Sequence, residues 1–243
     1  MYTEIVLALI FFLSAFTMSF AGFGFAMISV PLLSIFFPVK EAVVIQFPYC
    51  MGLFMYQAWH YRKHFCWSPM QPLLLGTVSG LFLGTFFLYY MPETILKRML
   101  ALFIVLIVIF NLISARQKIE VQSFKSPWFG RICGFISGSF LGAYNLGGPP
   151  VVMYFRTITN NSLKAKSYMA AFFSILFMVI AVVYGVTGMF TLESLRTTLL
   201  YLPSVLLGSA TGFWVFHRAS NSVYNMVIDV ALLLISVVLW INV

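Results

Sequence analysis

Apolar and polar residues alternate in long blocks along this chain. Ten stretches are poor in charge: 5–21, 25–37, 41–59, 70–90, 95–114, 128–143, 146–155, 167–187, 197–216 and 223–242. A helix needs about 20 apolar residues to cross the hydrocarbon core of a bilayer, and most of these stretches approach that length. The stretches 25–37 and 146–155 are too short, and each directly follows a glycine break. The first break is Ala21-Gly22-Phe23-Gly24-Phe25, and the second runs from Gly142 to Pro150 through Tyr144-Asn145-Leu146-Gly147-Gly148-Pro149. Adjacent glycines relax φ and adjacent prolines remove two backbone donors, so no continuous helix is expected through Gly147–Pro150. Non-helical backbone at membrane depth persists only where protein or a wet cavity surrounds it.

The two breaks occupy corresponding places. Each half reads as an apolar segment, a glycine break, a short segment, a basic residue (Lys40 in one half, Lys164 and Lys166 in the other) and then three long spans. Gly80 and Gly84 are matched by Gly208 and Gly212. The predicted organisation is therefore an N-terminal repeat over 1–115, a polar linker over 116–127 and a C-terminal repeat over 128–243. Interrupted segments at matching positions of two halves point to the binding site of a transporter.

Composition removes the other fold classes. Of 243 residues, 62% are hydrophobic and 8% charged, against roughly 25% charged in a soluble domain. Barrel strands alternate apolar and polar residues, whereas 99–113 is apolar throughout except for Asn111. The fold class is an all-α polytopic membrane protein. The net charge of +8 resides in short loops, which is the pattern of membrane topology and not of nucleic-acid binding. Cys50, Cys66 and Cys133 form no CxxC pair, so neither a metal site nor a disulfide framework is expected. No GxSxG, HExxH or Walker motif supports an enzyme, and no cofactor is implied.

Positive charge tests the topology. If the second break is a re-entrant hairpin, ten Lys and Arg face the cytoplasm (among them Arg62, Lys63, Arg131, Lys164 and Lys166) and four face outside. If that segment crosses, the split is seven and seven. The positive-inside rule selects the hairpin, and the first break is assigned one by analogy. Each half is then a broken hairpin plus three transmembrane helices. Three crossings per half invert the second repeat and place both termini outside. The N-terminus lacks the basic region of a signal peptide, so the first apolar segment is expected to remain.

Ala21-Gly22-Phe23-Gly24 running into Ser29-Val30-Pro31-Leu32-Leu33, Gly142 to Pro150 opening the second half, and the two-fold repeat together resemble the TauE/SafE, or sulfite exporter, family of bacterial permeases. The resemblance covers essentially the whole chain. It implies export, or in some members uptake, of sulfite, organosulfonates or related small anions, driven by an ion gradient.

A helix interrupted in the membrane exposes the unpaired N–H groups of its second half at the positive end of the dipole, a ready cup for an oxyanion. Two such ends, one from each half, are expected to converge near the midplane. The candidate substrate-binding residues are Gly22 and Gly24, then Asn145, Gly147, Gly148 and Pro149 in the second break, and Gln46, which has an interhelical hydrogen bond as its alternative. Thr17 and Ser19 are weaker candidates. Small-xxx-small spacing at Gly80, Gly84, Gly208 and Gly212 reads as close helix packing. Lys166 reads as a topological anchor before an anion lure. Asp229, the one acid inside a long span, is the coupling candidate, with an ion pair as its alternative. The expected partners are a small anion, the bilayer, protons and, as a candidate, a second copy of the chain. A passive anion channel and a non-transporting membrane scaffold are the rival readings.

Overall fold

A computed structural model describes residues 2–116, 126–159 and 161–216, and every regular element among them is helical. The final apolar stretch 223–242, with Asp229, lies outside the described residues, as does most of the linker. The helices are α1 (Tyr2–Ala21), α2 (Phe25–Leu33), α3 (Val39–Tyr61), α4 (Gln71–Tyr90), α5 (Glu93–Arg116), α6 (Pro127–Tyr144), α7 (Gly148–Ile158), α8 (Ser162–Val186) and α9 (Leu192–Phe216). Two 3-10 turns, Arg62–His64 and Ser68–Met70, join α3 to α4. Four segments among the described residues are long and apolar enough to cross a membrane: Tyr2–Ala21, Ser68–Tyr90, Leu163–Val186 and Leu192–Val215. The helix α3 is less apolar because it carries Gln46 and Gln57, both buried. The helix α6 is less apolar because one face is glycine and serine.

Both breaks lie where the sequence places them, and their spacing repeats. Ala21 and Tyr144 end the first helix of each pair, Phe25 and Gly148 begin the second, and Val39 and Ser162 begin the next; each pair of positions is 123 residues apart. Local chemistry sets several boundaries. The Asn161 side chain accepts from the amides of Leu163 (3.0 Å) and Lys164 (3.1 Å), so α8 starts five residues ahead of the apolar stretch at 167. A reciprocal cap does the same for α9: the Ser194 amide donates to Thr191 Oγ1, and the Thr191 amide donates to Ser194 Oγ, both at 3.1 Å. Such caps hold a helix start in polar sequence.

The described residues form two compact units, one of 2–43, 90–116 and 201–216, the other of 44–89, 126–159 and 161–200. In the first, α1 and α9 run parallel. A Cβ on Gly208 would strike the Phe12 carbonyl, and one on Gly212 the Phe16 carbonyl. Phe11 stacks on Tyr201 at 5.1 Å, and the Tyr201 hydroxyl donates to Glu4. The Val39 amide donates to Glu93 Oε1 (2.6 Å), tying the start of α3 to α5.

In the second unit, α4 and α6 also run parallel, in backbone contact. Gly76, Gly80 and Gly84 face the carbonyls of Arg131, Phe135 and Ser139; Gly134, Gly138 and Gly142 face those of Leu73, Thr77 and Leu81. Packing is thus what all four small-xxx-small glycines named from sequence do. The same pairing recurs in both units: the first helix of one sequence half packs on the fourth helix of the other, α1 on α9 and α6 on α4. The helices α3 and α8 run antiparallel through aromatic contacts, Phe47 with Tyr184 (5.0 Å) and Phe177 (5.3 Å), then Phe54 with Phe177 (5.5 Å) and Phe173 (4.7 Å).

Candidate functional site

The second break is built by a chain reversal. Asn145 ends α6 in the left-handed region, φ 59°, and its amide donates to the Leu141 carbonyl at 2.8 Å. Asparagine tolerates that conformation better than most residues. Two residues on, Gly147 already lies back against Ser137: the Ser137 hydroxyl donates to the Gly147 carbonyl at 2.8 Å. Further along α7, Tyr154 lies against Gly130 and its ring is 6.5 Å from Phe129. Seven steps forward on α7 match seven steps back on α6, so the two helices are antiparallel. Ser137 is the eleventh of the 18 residues of α6, so the amino end of α7 meets α6 about 15 Å along its length at 1.5 Å per residue.

The prolines sit differently from the sequence reading. Helix α7 begins at Gly148 and takes Pro149 and Pro150 into its first turn, where a missing N–H breaks no intrahelical bond. The interruption is Asn145–Gly147, just ahead of them. The prolines remove two of the donors a helix start exposes, so Pro149 offers a ring wall and no N–H. The backbone donors at this end are the amides of Gly147 and Gly148, both glycines buried. Asn145 is 5% exposed. It turns Oδ1 toward the Tyr184 hydroxyl, which donates at 3.4 Å, and its amide nitrogen carries two further donors. A Cβ on Gly147 would come 2.7 Å from Ser137 Oγ and 3.1 Å from Phe173 Cε1, so this glycine permits the close approach of three elements.

Gln46 is fully buried on α3 and accepts from Cys50 Sγ at 2.8 Å. Its link to the break runs through the next residue, Phe47, whose ring touches Tyr184. Ser137, Phe173 and Tyr184 stand at the candidate site, and sequence reasoning missed them. Nothing local marks them, because the reversal and the packing of α8 create their contacts; the antiparallel pairing expected of a hairpin was the one available signal.

The first break lies in the other compact unit. Gly22 (φ 85°) and Gly24 (φ 105°) both take left-handed backbone, and the Gly22 amide closes α1 on the Met18 carbonyl at 2.8 Å. Gly24 precedes α2 with no side-chain cap. The Thr17 hydroxyl donates to the Leu13 carbonyl at 2.8 Å while its methyl faces Gly24. Ser19 is buried against Gly212 of α9, and its hydroxyl has no partner among the described residues. Asp229, the coupling candidate, lies outside the described residues. No cluster of three metal-ligating side chains occurs among the described residues.

Two features therefore suit an oxyanion at the second break: a helix amino end with glycine amides, and a buried carboxamide beside it. A family model described as Sulfite exporter TauE/SafE matches residues 7–239. No curated protein and no solved structure matches the chain.

Proposed function

The chain belongs to the sulfite exporter TauE/SafE family of multi-pass membrane permeases, and from that premise we propose that it is a secondary transporter exporting a small oxyanion, sulfite or an organosulfonate, across the cell inner membrane. The observation that carries this reading is the amino end of α7, brought back to half the length of α6 by the reversal at Asn145–Gly147. If α6 starts at the membrane surface, that end lies near the bilayer midplane, where a desolvated dipole and two glycine amides favour an anion most. Asn145 and Gln46 supply side-chain amides, Pro149 a rigid wall, and Gly22 and Gly24 the corresponding end of the first half. The 123-residue displacement of matching boundaries supports two repeats, 1–115 and 128–243. A re-entrant hairpin plus three spans in each inverts the second and leaves both termini periplasmic. Such repeats serve alternating access. Asp229 is our candidate for proton coupling.

The test is flux in proteoliposomes. Sulfite accumulated against its gradient under an imposed pH difference is the expected result. Strictly downhill flux identifies a channel, and no flux of any anion identifies a scaffold. Gly148→Leu is expected to abolish flux in protein that still inserts, because a branched side chain fills the cup. Wild-type flux in that variant removes the second break from the mechanism.

A further inference from the structure

Lys166 is the one charged side chain buried among the described residues, at 5% exposure. Burying an ammonium costs several kcal/mol unless it is compensated, and lysine is rarely found so deep. A lysine that only anchors topology snorkels its head toward water, as the exposed Lys164 does two residues earlier. Lys166 instead points into the protein.

Its position on α8 is informative. Lys166 and Phe173 are seven residues apart, which puts them on the same helix face within about 20° and about 10 Å apart along the axis. Phe173 is the residue whose ring edge stands 3.1 Å from a Cβ on Gly147. Between them on that face is Ala170, fully buried and small. Helices α7 and α8 are antiparallel, with Phe155 5.4 Å from Tyr168 while Phe173 meets Gly147. Lys166 is therefore level with the last turn of α7, between the outer end of the α7–α8 pair and the break.

Resting on the anion-transport reading above, we propose that Lys166 forms a second anion station. Its ammonium takes a small oxyanion at the mouth of the α7–α8 pair and delivers it, past Ala170, to the amides of Gly147 and Gly148. An ammonium carries three donors, so it can keep a protein partner and still give one to a passing oxyanion. The station selects for charge ahead of the break, where the glycine amides recognise the oxygens, and it excludes neutral solutes of similar size.

The experiment uses the reconstituted full chain with sulfite as probe. Lys166→Gln is expected to raise the half-saturating sulfite concentration about tenfold or more, while Lys166→Arg stays within a few-fold of wild type. A charge-rescue control comes from Lys166→Cys in a Cys50→Ala, Cys66→Ser, Cys133→Ala background, where the introduced thiol is the one target. Buried as Lys166 is, that thiol reacts only if the station opens to water, and no reaction overturns the station. An aminoethyl methanethiosulfonate reagent should restore a positive charge and with it low half-saturation. A neutral methyl reagent should not, and sulfite should slow both reactions. Unchanged half-saturation in Lys166→Gln with normal wild-type flux overturns the station alone. So does equal rescue by both reagents, or a lowered melting temperature with unaltered sulfite dependence. Wild-type protein that moves no anion overturns the transport reading and this inference together.

Discussion

At the residue scale, Asn145 performs two tasks that substitution can separate. Its backbone holds the left-handed turn that ends α6, and its carboxamide, two residues ahead of Gly147, accepts from the Tyr184 hydroxyl. Asn145→Gly keeps the turn, because glycine takes positive φ without steric cost. Asn145→Ala forces a Cβ-bearing residue with no local hydrogen bond into the same region, at about 1 kcal/mol or more. The glycine variant is expected to melt near wild type yet bind sulfite several-fold more weakly. The alanine variant is expected to lose both stability and binding. Melting in detergent and sulfite-induced stabilisation measure the two effects, and a glycine variant with full sulfite response would show that the carboxamide is irrelevant. The turn itself was legible in the sequence, since Gly22, Gly24 and Asn145 are residue types suited to positive φ. The contacts that complete the site were not. Ser137 and Tyr184 are ten and 39 positions from their partners, and no local pattern joins them.

At the element scale, the glycine stripes of α4 and α6 set how closely the backbones approach. Without a hydrophobic drive between helices in lipid, that contact and its dispersion energy hold the pair together. A methyl at Gly138 would meet the Thr77 carbonyl, and the Leu81 amide at 2.9 Å. Both are backbone atoms that yield only if the helices separate. Gly138→Ala is expected to destabilise the protein by about 1–3 kcal/mol, read as a lower melting temperature in detergent. Gly52→Ala, on an exposed face with nothing within 4 Å, is expected to be neutral or stabilising by up to about 1 kcal/mol. Similar losses in both variants would reject the seam. The glycine spacing announced a packing face, but which helix meets it was illegible. A period of four residues names the small face and carries no address, and the partners α4 and α6, like α1 and α9, come from opposite halves. The start of α7 shows a different limit. Paired prolines suggested a break through Pro150, whereas the first turn of a helix accepts them, so they mark the beginning of the second leg.

At the scale of the whole molecule, the all-helical character and both helix breaks were legible because burial in lipid imposes long apolar runs and the glycines interrupt them at matched positions. The two compact units were not, because each draws segments from both halves. The proposed topology depends on the second leg of each hairpin returning to its own side; in the first half that return puts Thr3 and the Arg62–His64 turn on opposite faces, the turn on the cytoplasmic one with most of the positive charge. A native probe lies beside that turn. Cys66 is exposed, whereas Cys50 and Cys133 are buried, and a thiol must reach water to form the reactive thiolate. An impermeant maleimide added to intact cells should therefore leave the protein unlabelled. The same reagent added to inside-out vesicles should attach once per chain, and Cys66→Ser should abolish that label. A cysteine introduced at Thr3, close to the terminus proposed to be periplasmic, should show the opposite pattern in the Cys66→Ser background. Labelling of Cys66 from outside would reverse the whole arrangement. Labelling of Cys66 and of the Thr3 cysteine from the same side would mean that the first half crosses an even number of times between them, and the re-entrant hairpin would then be lost from the half whose charge pattern never tested it.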